Sequence, residues 1–172
     1  MLILETERLS LRHFVPDDLT ALFSLYCDPE MRRYFPEGTL TIEETRAELT
    51  WYLQGHPQQP ELGLWATIHK QTRQFIGRCG LLPWTIDGRD EIEIAYLIEK
   101  SYWGQGLGTE AALGIQDYAT KQLGLTRLVC LIEEDNRASI RVAEKIGMVF
   151  EKECRDELGP FHLYAINREK TK

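Results

Sequence analysis

Hydrophobic residues along this chain switch between a period of two and a period near 3.6. Leu9 to Val15 (Leu-Ser-Leu-Arg-His-Phe-Val) alternates apolar with polar and predicts a first strand. Pro16-Asp17-Asp18 opens a helix with acids at its positive end, and Leu19, Leu22, Phe23 and Tyr26 recur at helical spacing until Asp28-Pro29 breaks it. Thr41-Ile-Glu-Glu44 is a capping-box sequence for a second helix, which carries Leu49, Trp51 and Leu53 and ends at Gly55 and Pro57. Beyond the polar loop over 56–63, Leu64–His69 and Phe75–Leu82 read as paired strands about a Lys-Gln-Thr-Arg turn. Asp87-Gly88 makes the next turn, into a strand over Glu91–Ile98. A third helix is predicted from Thr109 to about Leu123, with Ala111, Ala112, Ile115, Tyr118 and Ala119 on one stripe and Gly124 as its stop. Gly114 inside it costs ~1 kcal/mol relative to Ala, which implies close packing on the sheet. Arg127–Ile132 is a buried strand. Asp135-Asn136 caps a short helix whose Ser139, Val142, Ala143 and Ile146 share a face and which ends at Gly147. Met148–Cys154 and Phe161–Arg168 are the last two strands. The order β-αα-βββ-α-β-α-ββ is an α+β layer with helices on both faces of a sheet. No repeat, low-complexity tract or linker interrupts it, so residues 1–172 are expected to form one domain.

The chemistry concentrates where the strand ending at Ile98 meets the third helix. Ser101-Tyr-Trp-Gly-Gln-Gly-Leu-Gly-Thr-Glu110 places Gly104, Gly106 and Gly108 at alternate positions. Glycines let the backbone adopt positive φ and approach a ligand closely. The free N–H groups of a first helical turn, with the helix dipole behind them, favour a phosphate. The dinucleotide pattern Gly-x-Gly-x-x-Gly fits poorly, because Thr109 stands at its third position. The Walker pattern fails because no lysine follows these glycines.

Composition narrows the partners. The net charge is −7, and residues 1–99 hold 9 Lys+Arg against 16 Asp+Glu, so all the excess acid precedes the glycine turn. An acidic chain without a basic cluster argues against nucleic acid. It suits a cationic partner, or serves solubility alone. No apolar run approaches the ~20 residues that span a bilayer, and charge interrupts the N-terminus too early for a secretory signal. Cys27, Cys79, Cys130 and Cys154 are scattered without a metal spacing. They read as reduced thiols acting as small buried apolar residues in a cytoplasmic protein. His13, His56, His69 and His162 show no metal spacing either, so no metal is expected.

Tyr102-Trp-Gly-Gln-Gly-Leu-Gly-Thr-Glu-Ala111 resembles the signature turn of the GNAT (GCN5-related) N-acetyltransferases, Gln/Arg-x-x-Gly-x-Gly/Ala, falling on Trp103, Gly106 and Gly108. Trp103 departs from the usual Gln/Arg. The Tyr-Trp-Gly-x-Gly form is that of the branch resembling the ribosomal-protein α-amino acetyltransferases (RimJ/RimL-like). Asn136-Arg-Ala-Ser139 with Lys145-Ile-Gly147 resembles the family's second CoA motif. The resemblance implies the same element order over nearly the whole chain, on a mostly antiparallel seven-stranded sheet. It implies acetyl-CoA as co-substrate, with pyrophosphate on the backbone of Gly104, Gln105, Gly106, Leu107, Gly108 and Thr109. The pantetheine arm would lie along Leu97 and Ile98, where two strands splay, and against Asn136. In that frame the Leu97 N–H is the candidate oxyanion donor, and Ser139 is the candidate to protonate the departing thiolate. Arg137, Arg141 and Lys145 are candidates for the CoA phosphates.

Glu93 shares a strand face with Glu91, Ala95 and Leu97 and is the candidate general base, with Glu91 in reserve. By its residues alone it reads equally as a solvated acid on a half-exposed strand. Glu110 reads as a charge partner for the helix N-terminus. Tyr96, Trp84, Trp51 and Tyr52 read as core or pocket wall, and Trp103 as packing over the turn. The expected activity is acetyl transfer to a primary amine by direct attack in a ternary complex. The acceptor would be a protein N-terminal α-amino group or a small cationic amine, near the two early helices, the Pro57 loop and the Glu93 strand. Neither nucleic acid nor membrane is an expected partner, and a homodimer is compatible. The alternatives are a non-catalytic acyl-CoA-binding module of the same fold and, on Gly104-x-Gly106 alone, a nucleotide-binding domain.

Overall fold

The computed structural model describes residues 1–168. Its strands are β1 (Leu2–Glu5), β2 (Leu9–Arg12), β3 (Gly63–His69), β4 (Gln74–Ile86), β5 (Arg89–Ile98), β6 (Arg127–Ile132), β7 (Val149–Asp156) and β8 (Gly159–Asn167). Its helices are α1 (Leu19–Tyr26), α2 (Ile42–Gln54), α3 (Leu107–Lys121) and α4 (Arg137–Lys145). The expected order stands with one addition, since the described residues form an eight-stranded sheet. The extra strand is β1, four residues paired antiparallel to β2 at the sheet edge. An edge strand needs a partner on one side only, so a short segment flanked by charge suffices.

The sheet runs β1-β2-β3-β4-β5-β6-β8-β7, and every neighbouring pair is antiparallel except β5/β6. Asp87 and Gly88 both take positive φ, 50° and 75°, as the tight hairpin between β4 and β5 requires. α1 and α2 cover one face, burying Leu22, Leu25, Tyr26 and Leu49 with Leu64, Ala66 and Ala95. α3 and α4 cover the other, burying Leu107, Ala111, Ala112, Ile115, Ile140 and Ala143 with Ile94 and Ile98. The odd residues of β5 therefore face α1 and α2, and the even ones face α3 and α4.

The Thr41–Glu44 capping box forms as its sequence predicts: Thr41 Oγ1 accepts from the Glu44 N–H, and Glu44 accepts from the Thr41 N–H at 2.7 Å. Gly114 answers a close contact, although with β1 and the turn after it. A Cβ there would lie 2.7 Å from Thr6 Cγ2 and 3.2 Å from Leu4 Cδ1. Three cysteines are buried as expected, but Cys27 is exposed at the C-terminal end of α1.

Candidate active site

β5 and β6 run side by side for a single registered pair, Glu93 with Val129, and then diverge. Beyond that point the Ile94 carbonyl accepts from the Cys130 thiol at 3.3 Å rather than from β6 backbone. The divergence opens the sheet into a cleft of about 1440 Å³. Its walls include Glu93–Ile98 of β5, the turn at Gly104 and Gly106–Thr109, Asn136 and Ser139, and on the far side Glu48 and Tyr52 of α2. One opening thus joins the predicted cofactor turn to the predicted acceptor side.

The turn has the geometry that its glycines predict. Gly104 and Gly106 sit in the left-handed region at φ 76° and 78°. Gly106 is the N-cap, so α3 begins at Leu107 rather than at Thr109; the glycine itself makes the helix entry. The first intrahelical bond is from the Glu110 N–H to the Gly106 carbonyl at 3.0 Å. The N–H groups of Leu107, Gly108 and Thr109 precede it and have no acceptor among the described residues. Such a cradle of unsatisfied donors at a helix N-terminus fits a pyrophosphate. At Gly108 a Cβ would lie 3.8 Å from Val142 Cγ2, an ordinary contact, so packing of α3 on α4 does not itself demand the third glycine.

Contacts distant in sequence brace this turn. Glu110 accepts from Thr6 Oγ1 at 2.6 Å, from the Arg8 N–H at 2.7 Å and from Arg8 Nε at 2.6 Å. Arg8 Nη1 continues to the Gln105 carbonyl at 3.0 Å. Glu110 therefore does more than complement a helix dipole, since it ties the β1–β2 turn to the glycine turn. Trp103 packs beside the turn, half exposed, and its indole N–H donates to the Ile98 carbonyl at 2.7 Å.

The expectation placed on Leu97 is overturned by strand register. β4 and β5 pair without a bulge from Gly77↔Ile98 to Ile86↔Arg89, and the Glu99 N–H donates to the Ile76 carbonyl at 2.7 Å. Backbone groups alternate sides along a strand, so the amide of Leu97 faces β4, like that of Glu99. The carbonyls of Ile94 and Ile98 take partners on the opposite edge. The amides of Tyr96 and Ile98 therefore face the opening. Leu97 keeps its side chain among the apolar residues under α1 and α2.

Glu93 lies half-buried in the cleft wall and accepts from the Trp84 indole N–H at 2.7 Å. Burial pushes its carboxyl above the usual range, while the Trp84 N–H, the Arg78 charge and the Leu131 N–H hold it down. The Leu131 amide, freed from β5 by the divergence, is thus turned toward this carboxylate. Glu91 is not poised in the same way. It is buried and held by Arg127, whose Nε and Nη2 both lie 2.9 Å from its oxygens.

Asn136 is the N-cap of α4, its Oδ1 accepting from the Ser139 N–H at 3.2 Å, and both residues line the cleft. Tyr96 donates its hydroxyl to the Ser139 carbonyl at 2.9 Å. A phenol from β5 therefore stands where the sequence pattern indicates only a serine. Burial raises the Tyr96 pKa and keeps the phenol neutral. Arg141 and Lys145 line the cleft, whereas Arg137 does not. Among the described residues no group of three His, Cys, Asp or Glu side chains is arranged to hold a metal, and no helix is long and apolar enough to cross a membrane.

The family model for the acetyltransferase (GNAT) domain matches residues 8–149. The chain belongs to the GNAT acetyltransferase family. It is an N-acetyltransferase, and acetyl-CoA is its co-substrate. It is 35% identical over 162 residues to YkkB, an uncharacterized protein of Bacillus subtilis (strain 168), covering 94% of this chain and 93% of the relative. A GNAT-family acetyltransferase from Bacillus anthracis superposes with a TM-score of 0.81 at 26% identity, over 97% of this chain and 98% of the other. RimL, a ribosomal L7/L12 α-N-protein acetyltransferase solved in complex with coenzyme A, shares the fold with a TM-score of 0.78 at 18% identity, over 99% and 100%.

Proposed function

We propose that residues 1–172 act as one domain that transfers an acetyl group to a primary amine by direct attack in a ternary complex. The acceptor is a protein N-terminal α-amino group or a small cationic amine. The continuous cleft from the glycine turn past Glu93 to α2 carries this reading, because it lets two substrates meet without leaving the protein. The two thiols that line it, Cys130 and Cys154, support direct attack. Cys130 is fully buried, and burial together with the nearby Glu93 charge pushes its pKa up, the opposite of an activated nucleophile. Burial pushes the Cys154 pKa up as well.

Acetyl-CoA supplies the acetyl group as an activated thioester. The N–H groups of Leu107, Gly108 and Thr109 hold its pyrophosphate, with Gly104, Gln105 and Gly106 shaping the turn. The outward amides of Ile98 and Tyr96 and the side chain of Asn136 position the pantetheine arm. The Tyr96 N–H takes the role of oxyanion donor in place of Leu97, since it faces the opening. Glu93 draws a proton from the substrate ammonium group, directly or through water, and the neutral amine then attacks the thioester carbonyl, forming the C–N bond as the C–S bond breaks. The raised pKa of Glu93 makes it a stronger base than an exposed carboxylate. Ser139 relays a proton to the departing thiolate, its hydroxyl taking one from water as it gives one up, with the Tyr96 phenol fixed on the Ser139 carbonyl beside it.

The test is thiol release with an amine panel, comparing wild type with Glu93→Gln. A positioned general base contributes about 10²–10⁴-fold, so kcat should fall by at least 100-fold while stabilisation by CoA against heating is retained. Release within threefold of wild type would remove Glu93 from the mechanism.

A further inference from the structure

The acceptor side of the cleft contains buried positive charge that acetyl transfer alone does not explain. Arg78 is 6% exposed and Arg32 4% exposed, and both line the cleft. Arg78 lies on β4 opposite Leu97, on the face that also carries Glu93. Its Nε donates to Tyr26 Oη at 2.6 Å, Tyr26 meets Tyr52 Oη at 2.9 Å, and Tyr52 donates to Glu48 at 2.6 Å. Glu48 thus reaches Arg78 only through two phenols. The two terminal nitrogens of Arg78 have no acceptor among the described residues, and neither is sealed away from solvent.

Arg32 stacks on the rings of Tyr26 and Phe35, at 5.0 and 4.2 Å, and Arg78 lies over the same rings at 5.6 and 5.4 Å. Two guanidinium groups therefore share one aromatic wall, and burial together with Arg78 pushes the Arg32 pKa down. Against them stand Glu48 through its relay and the exposed Glu37, 3.5 Å from Arg32. A buried charge without a full counter-charge is costly. A carboxylate matches the planar fork of a guanidinium and would offset that cost.

We propose that the acceptor carries a carboxylate as well as its amine, and that Arg78, backed by Arg32, binds the carboxylate while Glu93 receives the amine. Resting on the acetyl-transfer reading above, this narrows the protein N-termini to those with an acidic neighbour and puts an amino acid in place of the small cationic amine. Arg78 and Leu82, the partner of Glu93, are four positions apart on β4. At a rise of ~3.4 Å per position this is about 14 Å between Cα atoms. Both side chains stand on the same face of the sheet, Arg78 against Tyr26 and Glu93 against Trp84, so that interval sets the span for an acceptor of amino-acid to dipeptide size.

The experiment compares matched acceptors that differ only in carboxylate against carboxamide: glutamate with its diamide, and peptide amides beginning Gly-Glu or Gly-Gln. Wild type, Arg78→Gln and Arg78→Lys are assayed by thiol release, with CoA-induced thermal stabilisation reporting that each is folded. Wild type should prefer the carboxylate form by at least ~10-fold in kcat/KM, the scale of one lost charged hydrogen-bond pair. The preference should collapse to about one in Arg78→Gln and survive in part in Arg78→Lys. Equal use of both forms by wild type, or a preference that persists in Arg78→Gln, overturns the proposal. Failure of every amine would instead count against acetyl transfer to these acceptors. The carboxylate site is then read from CoA-saturated protein. A melting-temperature rise with glutamate but not its diamide, absent in Arg78→Gln, supports the site, and no such rise overturns it.

Discussion

Glu110→Gln tests whether contacts far away in sequence hold the cofactor turn. The Glu110 side chain is 16% exposed and receives three hydrogen bonds, two from Arg8 and one from Thr6. Hydrogen bonds to a charged group contribute ~1.5–3 kcal/mol each. The Arg8 guanidinium is 41% exposed, so its ion pair contributes only ~0–1 kcal/mol. The Thr6 hydroxyl and the Arg8 N–H carry most of the effect. Glutamine keeps one acceptor oxygen, so it retains roughly half of these bonds in weaker, neutral form. The expected loss is about 2–3 kcal/mol, read by urea unfolding at pH 7.

The same carboxyl sets a pH dependence. Burial pushes its pKa up, but the Thr6 hydroxyl, the Arg8 N–H and the Arg8 charge outweigh burial and hold it below the usual range. A folded pKa below the unfolded value of ~4.3 contributes stability above that pH and loses it as pH falls through the folded value. The gap between wild type and Glu110→Gln should therefore close below about pH 4. Because Arg8 also holds the Gln105 carbonyl, the variant's CoA-induced rise in melting temperature should shrink as well. Stability within ~0.5 kcal/mol of wild type at pH 7, the ordinary range for a surface change, would refute the brace.

At Gly106, alanine must adopt φ 78°, at a cost of ~1–2 kcal/mol. Its Cβ would meet only Arg8 Nη2 at 3.8 Å, so backbone strain rather than a clash should weaken CoA binding by about tenfold in calorimetry, and unchanged affinity would contradict this. Trp84→Phe removes an N–H that holds the Glu93 pKa down. Because the base must be ionised, the acidic limb of kcat/KM should move to higher pH, and a limb that stays or moves down contradicts the assignment.

The side-chain face of Glu93 was legible because alternation along Glu91–Ile98 needs no partner to phase it. The amide direction alternates with the same period, but its phase depends on which neighbour lies on which edge. Ile76 on β4 and Cys130 on β6 fix that phase, and neither is visible from the β5 sequence. This is why Leu97 has the right side-chain face and the wrong amide. The glycine turn was legible for the opposite reason, since positive φ at Gly104 and Gly106 is a local demand. Glu110 was half legible. Its place in the first turn of α3 is local, whereas Thr6 is 104 residues away in sequence. Tyr96 beside Ser139 is likewise a contact across 43 residues, and β1 is a strand only because β2 offers it an edge.

Charge shows the same division between what adds along a sequence and what depends on place. The acid excess of residues 1–99 suggested a cationic acceptor, but much of that acid is already committed. Glu91 is held by Arg127, Asp18 by Arg12 and Asp28 by Lys100. Exposed Glu30 and Glu37 stand in water, where salt screens them beyond ~8 Å. Recognition inside a cleft is set by charges with little water around them, because Coulomb energy rises as the local dielectric falls. Arg32 and Arg78 are such charges, and Glu93 is the carboxylate further along the same sheet face. An acceptor matched to this arrangement presents its ammonium to Glu93 and an anion to the guanidinium pair, whatever the net charge of the surface outside.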